Sequence, residues 1–185
     1  MAFFFFDFKD IRKQDARALL SSFIVQLGSR SPAFHDILYD FYSTHYNGSQ
    51  QPSTDSLMKC LEDMLEAPGG VPIYLILDAL DECPNTSGIP SSLYQVLSVV
   101  KKLVKLNPPN LHLCITSRPE VEIRASLEPL TSTSNCISLH DQSGQRIDIH
   151  NFIRAVVYSD ENMRRWRDED KQLVIETLSE RADGM

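Results

Sequence analysis

Short unbroken apolar runs alternate along this chain with longer stretches whose apolar residues recur every three or four positions. The first pattern predicts strands buried on both faces of a parallel sheet, the second amphipathic helices. Phe3 to Phe8 reads as a strand, and Asp10 as the cap of a helix from Ile11 to Leu27 that Gly28 stops. Its residues Leu19, Leu20, Phe23, Ile24 and Leu27 share one face. A second helix runs from Pro32 to about Thr44, and Asn47-Gly48 with the polar run to Pro52 forms a loop. Ser53 or Thr54 caps a third helix with Leu57, Cys60, Leu61, Met64 and Leu65 on one side, ended by Pro68-Gly69-Gly70. Ile73 to Asp78 is an apolar strand, followed by a loop from Pro84 to Pro90. Ser91 or Ser92 opens a helix to Leu106, whose Lys101, Lys102 and Lys105 suit its C-terminal end. Leu111 to Thr116 is another buried strand, and Pro119 sits in the first turn of a short helix after it. Cys136 to Leu139 is a short strand, and Ile147–Tyr158 and Asp168–Ala182 are helices. The expectation is an α/β fold, a parallel sheet flanked by helices, with a helical C-terminal part. The division falls between residues 1–140 and 141–185.

Composition narrows this picture. At 185 residues the chain suits one domain, or one and part of another. A 42% apolar content supplies a core, and the mean hydropathy of -0.22 fits a soluble, cytoplasmic protein. The net charge of -7 argues against a nucleic-acid surface, which would carry a basic patch. No stretch approaches the ~20 apolar residues of a membrane span, and MAFFFFDF lacks the basic start of a signal peptide. Cys60, Cys83, Cys114 and Cys136 form no C-x-x-C pair and read as buried intracellular thiols. The five histidines lack metal-ligand spacing; His112 reads as a structural strand residue. Arg164, Arg165 and Arg167 around Trp166 could touch an acidic partner, but read rather as a solvated helix face with one anchored tryptophan.

The chemistry concentrates at two strand ends. In open parallel sheets, ligands bind beyond the carboxyl ends of the strands. IYLILDALDEC places Asp78 at such an end, with Asp81 and Glu82 within the next four positions. This is the pattern of a Walker B motif, in which one acid holds Mg²⁺ through water and another orients the water that attacks a γ-phosphate. The bland alternative is a solvated acidic turn. LCITSRPEVEIR ends a second strand in Thr116-Ser117-Arg118. Arg118 there suits a γ-phosphate through its rigid fork of donors, and Thr116 or Ser117 a phosphate or water. Its bland alternative is a helix-capping turn with a surface arginine. Together, in this order, the two strand ends point to one site.

DALDEC followed by TSRPE resembles the NACHT group of STAND-class P-loop NTPases, most of all the fungal set with a nephrocystin-like N-terminal NTPase module. FFFFDFKDIRKQDARALLSSFIVQL, SLHDQSGQRIDIHNFI and the final LSERADGM are similar to segments of the same group. The resemblance implies a partial P-loop NTPase fold and a nucleotide-driven signalling switch using Mg²⁺ with ATP or GTP. It assigns Asp78 to the metal, Glu82 with Asp81 to the attacking water, and Arg118 to the sensing of the γ-phosphate. It also implies a sheet order of 5-1-4-3-2. On that mapping Phe3–Phe8 is strand 2, Ile73–Asp78 strand 3, Leu111–Thr116 strand 4 and Cys136–Leu139 strand 5.

One element of that family is not found. A phosphate loop needs G-x-x-x-x-G-K-[ST], and no glycine here precedes a lysine. Strand 1 and the loop would precede Phe3, so the sequence reads as a partial domain. It is expected to bind nucleotide weakly and not to hydrolyse it alone. The Leu111–Thr116 strand would show a bare edge beside a displaced strand 5. A different class of function remains open: a non-catalytic fragment that self-associates or pairs with intact NACHT proteins, or an incomplete gene model.

Overall fold

The computed structural model describes residues 1–45, 48–68, 70–85, 90–138 and 143–182. Asn47, Gly69, most of the loop between Pro84 and Pro90, and Leu139 lie outside the described residues, as do parts of the SLHDQ and ADGM segments. The chain divides into two compact units, Met1–Thr131 and Ser132–Met185.

The first unit holds a parallel three-stranded sheet in the order β1 (Ala2–Phe5), β2 (Ile73–Asp78), β3 (Leu111–Ile115). Four helices follow the sequence closely: α1 (Ala16–Gly28), α2 (Pro32–Thr44), α3 (Thr54–Leu65) and α4 (Ser92–Leu106). Their starts are set by side-chain caps that accept a free first-turn N–H. Asp15 accepts from Ala18, Ser31 from Phe34, Ser53 from Ser56 and Ser91 from Tyr94. α5 (Val121–Leu127) is short.

Several expected bounds move. β1 starts and ends earlier than Phe3–Phe8, because the Asp7 carboxylate takes the Lys9 N–H and turns the chain away. Asp10 caps only a 3₁₀ turn, Ile11–Lys13; the Gln14 amide folds back onto the carbonyls of Asp7 and Phe8, and α1 starts afresh from Asp15. Gly28 is the last helical residue rather than a left-handed stop. Its value is space: a Cβ there would lie 2.5 Å from Leu38 Cδ2. Pro119 stays outside α5, whose cap is Glu120.

The main correction concerns the sheet. β2 and β3 are not buried on both faces. Ala2, Phe4, Ile73, Leu75 and Leu77 point into a core shared with Leu19, Leu20, Phe23, Leu61, Val96 and Leu103. Burying each large side chain there contributes about 1.5–3 kcal/mol. The alternate residues face outward: Phe3 is 40% exposed, Phe5 50% and Tyr74 48%. His112 is exposed too, stacked on Tyr74 at 4.6 Å between ring centroids, and so is Cys114. The strand order explains this. Crossovers between parallel strands are right-handed, so two successive crossovers that step the same way, β1 to β2 to β3, carry their helices to the same face. The phenylalanine run is therefore half core (Phe4, Phe6) and half open surface (Phe3, Phe5).

β1 and β3 form the two sheet edges. At β1 the Gln26 side-chain amide accepts from the Phe3 N–H and donates to its carbonyl, covering that edge locally. Just past β3, Thr116 turns both backbone groups toward the β2 side. By strand alternation those of Leu113 and Ile115 point to the outer edge.

In the second unit α6 (Ser143–Ser159) packs on α7 (Asp168–Arg181) through buried Val157 and Ile175. The Lys171 ammonium sits 5.1 Å from the Tyr158 ring centre. Cys136 to Ser138 form no strand and are exposed, contrary to expectation; a 3₁₀ turn at Thr133–Asn135 precedes them. Trp166 is not an anchored residue of a helix face: it lies 46% exposed in the turn between the 3₁₀ segment Glu161–Met163 and α7, with its arginines exposed beside it. No described helix is long and apolar enough to cross a membrane.

Candidate functional site

The carboxyl ends of the three strands bring together the residues singled out from sequence. Phe6 extends the β1 pairing by donating its N–H to the Asp78 carbonyl at 3.0 Å. Beyond Asp78 the chain enters a tight turn at Ala79, whose φ of 54° and ψ of 49° lie in the left-handed region. A Cβ disfavours that conformation by roughly 1–2 kcal/mol. The turn redirects the chain into a 3₁₀ turn, Leu80–Glu82, and anchors it through the fully buried Leu80.

Each acid then has its own partner. Asp78 accepts a hydrogen bond from the Thr116 hydroxyl. Asp81 accepts from the Arg118 backbone N–H at 3.0 Å, and its other oxygen lies 3.5 Å from the Arg118 Nε. The Asp81 side chain is only 12% exposed, whereas that of Arg118 is 77% exposed. Glu82 accepts from the Phe8 N–H at 3.2 Å, tying the segment that follows β1 to the turn after β2. The Ser117 hydroxyl donates to the Arg118 carbonyl and so supports the local turn. The Thr116 hydroxyl is likewise committed within the protein, its proton directed at Asp78.

A cleft of about 500 Å³ opens beside this turn, against Phe8, Asp81, Glu82, Arg118, Glu120 and Glu122. A larger concavity of about 740 Å³ lies elsewhere, against Glu62, Glu66, Pro72, Asn107 and Asn110. That one adjoins the amino ends of β2 and β3, the end of a parallel sheet that does not bind ligands, so its size does not make it the site. Among the described residues no group of three or more His, Cys, Asp or Glu side chains is disposed to hold a metal ion. Asp78 offers a single carboxylate, which would suit an Mg²⁺ ion only with phosphate oxygens and waters as the remaining ligands, not a cage made by protein alone.

A family model described as "Nephrocystin 3, N-terminal" matches residues 1–118, which is more than half of the 185. The chain belongs to this family. The matched region takes in β1 to β3 and every residue of the candidate site through Arg118. No curated protein and no solved structure matches the chain.

Two features of this family member were hidden in its sequence. The left-handed residue is an alanine, a type that gives no warning of positive φ. Glu120 and Glu122 line the cleft at the start of α5, which begins two residues later than its proline suggests.

Proposed function

We propose that residues 1–131 are part of a NACHT/STAND-type nucleotide-binding module acting as an ATP- or GTP-dependent switch, and that this unit supplies its metal-, water- and γ-phosphate-facing half. The observation that carries the reading is the convergence of Asp78, Asp81, Glu82 and Arg118 at the carboxyl edge of one parallel sheet. Asp78 would hold Mg²⁺ through water, with Mg²⁺ supplying charge neutralisation on the phosphates. Glu82, with Asp81 beside it, orients a water. Arg118, its guanidinium already at the surface, turns toward a phosphate. This sequence holds no G-x-x-x-x-G-K-[ST] loop to cradle the phosphates, so its affinity is weak, with a Kd on the order of 1 mM.

At 5 mM Mg²⁺-nucleotide such binding stabilises the fold by about 1 kcal/mol, a rise of about 2–4 °C in Tm. Asp78→Ala should abolish the rise. An unchanged Tm at 10 mM of both ATP and GTP would count against the proposal.

The outer edge of β3 favours a second reading, a non-catalytic fragment that pairs with an intact relative. Leu113 and Ile115 present outward backbone groups on a strand with no charge and no proline, a template for an added strand. Leu113→Pro removes an outward N–H while sparing those facing β2, and should abolish co-elution with an intact family member. Equal co-elution of the variant would defeat this reading.

A further inference from the structure

Thr116 makes four hydrogen bonds to the end of β2 and the turn that follows it. Its N–H donates to the Leu77 carbonyl at 2.9 Å, and its carbonyl accepts from the Leu80 N–H at 3.0 Å. Its hydroxyl accepts from the Ala79 N–H at 3.0 Å and donates to the Asp78 carboxylate. The residue just past β3 thus contacts every residue from Leu77, near the end of β2, to Leu80 in the turn after it. Within that span sits Ala79, the residue held at positive φ.

These bonds differ in what they need. The two backbone bonds form with any side chain at 116. The two hydroxyl bonds need an O–H in one orientation, accepting from one neighbour and donating to the next. A half-buried left-handed alanine relaxes to an ordinary conformation unless its surroundings over-determine it. The hydroxyl supplies that constraint at the Ala79 N–H, while the buried Leu80 supplies it on the other side. The same hydroxyl fixes which oxygen of Asp78 is engaged within the protein and leaves the carboxylate's orientation set.

We propose that Thr116 is a positioning residue: its hydroxyl clamps the strained Ala79 turn and so sets the direction of the Asp78 carboxylate and the placement of Asp81 and Glu82. It acts through these acids rather than on phosphate. This deepens the nucleotide reading above and rests on it only for what the acids finally hold; the clamp is a property of the protein alone.

The test is amide hydrogen exchange on the whole chain, wild type against Thr116→Val and Thr116→Ser. Valine keeps the shape of threonine and lacks the hydroxyl; serine keeps the hydroxyl. Position 116 is exposed, so neither substitution opens a cavity in the core. Thr116→Val should speed exchange at Ala79 and Leu80 by about tenfold, the loss of one to two net hydrogen bonds, with α1 and α3 unchanged. Thr116→Ser should restore wild-type rates. Unchanged exchange at Ala79 in the valine variant would overturn the proposal. So would a serine variant as fast as the valine one, which would assign the effect to the methyl group's packing. The measurement uses no nucleotide, so the clamp can fail while the nucleotide reading stands, and the thermal-shift experiment can fail while the clamp stands.

Discussion

The pairing of Asp81 with Arg118 divides into two contacts of different strength, and that division can be measured. The Asp81 carboxylate accepts the Arg118 backbone N–H at 3.0 Å in a nearly buried position. A hydrogen bond to a charged group there contributes about 1.5–3 kcal/mol. The guanidinium contact is longer, 3.5 Å, and its side chain is largely in solvent. Such an exposed ion pair is worth about 0–1 kcal/mol. Asp81→Ala should therefore destabilise the first unit by about 1.5–3 kcal/mol. Asp81→Asn, which keeps an acceptor and drops the charge, should cost about 1 kcal/mol. Arg118→Ala, which keeps the backbone N–H, should cost less than about 1 kcal/mol. Urea unfolding followed through the methyl signals of the buried Leu75 and Leu77 reports on this unit. An Arg118→Ala variant as unstable as Asp81→Ala would refute the reasoning. The order matters for function: if the guanidinium adds little, it can swing to an anion without loosening the turn that carries the acids.

Three further outcomes follow from packing and burial. Burial pushes the Cys60 thiol up to about 11 and the Cys83 thiol up to about 12. A thiol reagent at pH 8 should thus label Cys114 and Cys136 quickly and the other two only on unfolding; a third fast thiol would contradict this. Because the fold favours these two neutral thiols, their contribution to stability is complete below the ordinary value of 9.0 and fades as pH rises from there to about 12. Gly28→Ala gains about 1 kcal/mol of helix propensity but forces Leu38 away from a 2.5 Å contact, with a second contact at 3.3 Å to the Leu38 Cβ. We expect a net loss of about 1 kcal/mol by thermal melting, and a stabilised variant would show that α2 yields freely.

The helices were legible because their signals are local. Ser31, Ser53 and Ser91 stand immediately before stretches of helical apolar spacing, and each caps the helix it announces. The strand Ile73–Asp78 also has its expected bounds. The one-sided burial of the sheet was not legible. A run such as IYLIL reads the same whether or not its second face is covered, since Tyr74 and Ile76 are apolar in either case. Cys60 and Cys83 are buried as expected, and the other two thiols are not: Cys114 lies on that open face, and Cys136 lies in a segment too weakly apolar to make a strand. At the site, the acids and Arg118 could be picked out by type and by strand end. Their mutual bonds could not, because these depend on the left-handed turn at Ala79.

The central claim is that Asp78, presented by the end of β2 and the Thr116 hydroxyl, is where a metal–nucleotide complex meets this chain. Paramagnetic Mn²⁺ with ATP or GTP, added to isotope-labelled protein, tests this through the broadening of nearby amide signals. The account predicts broadening centred on Asp78, Ala79 and Thr116, extending to Glu82 and Arg118, and lost in Asp78→Asn. Broadening that survives in the variant, or that centres on Glu62, Glu66 and Asn107 at the opposite end of the sheet, would contradict it.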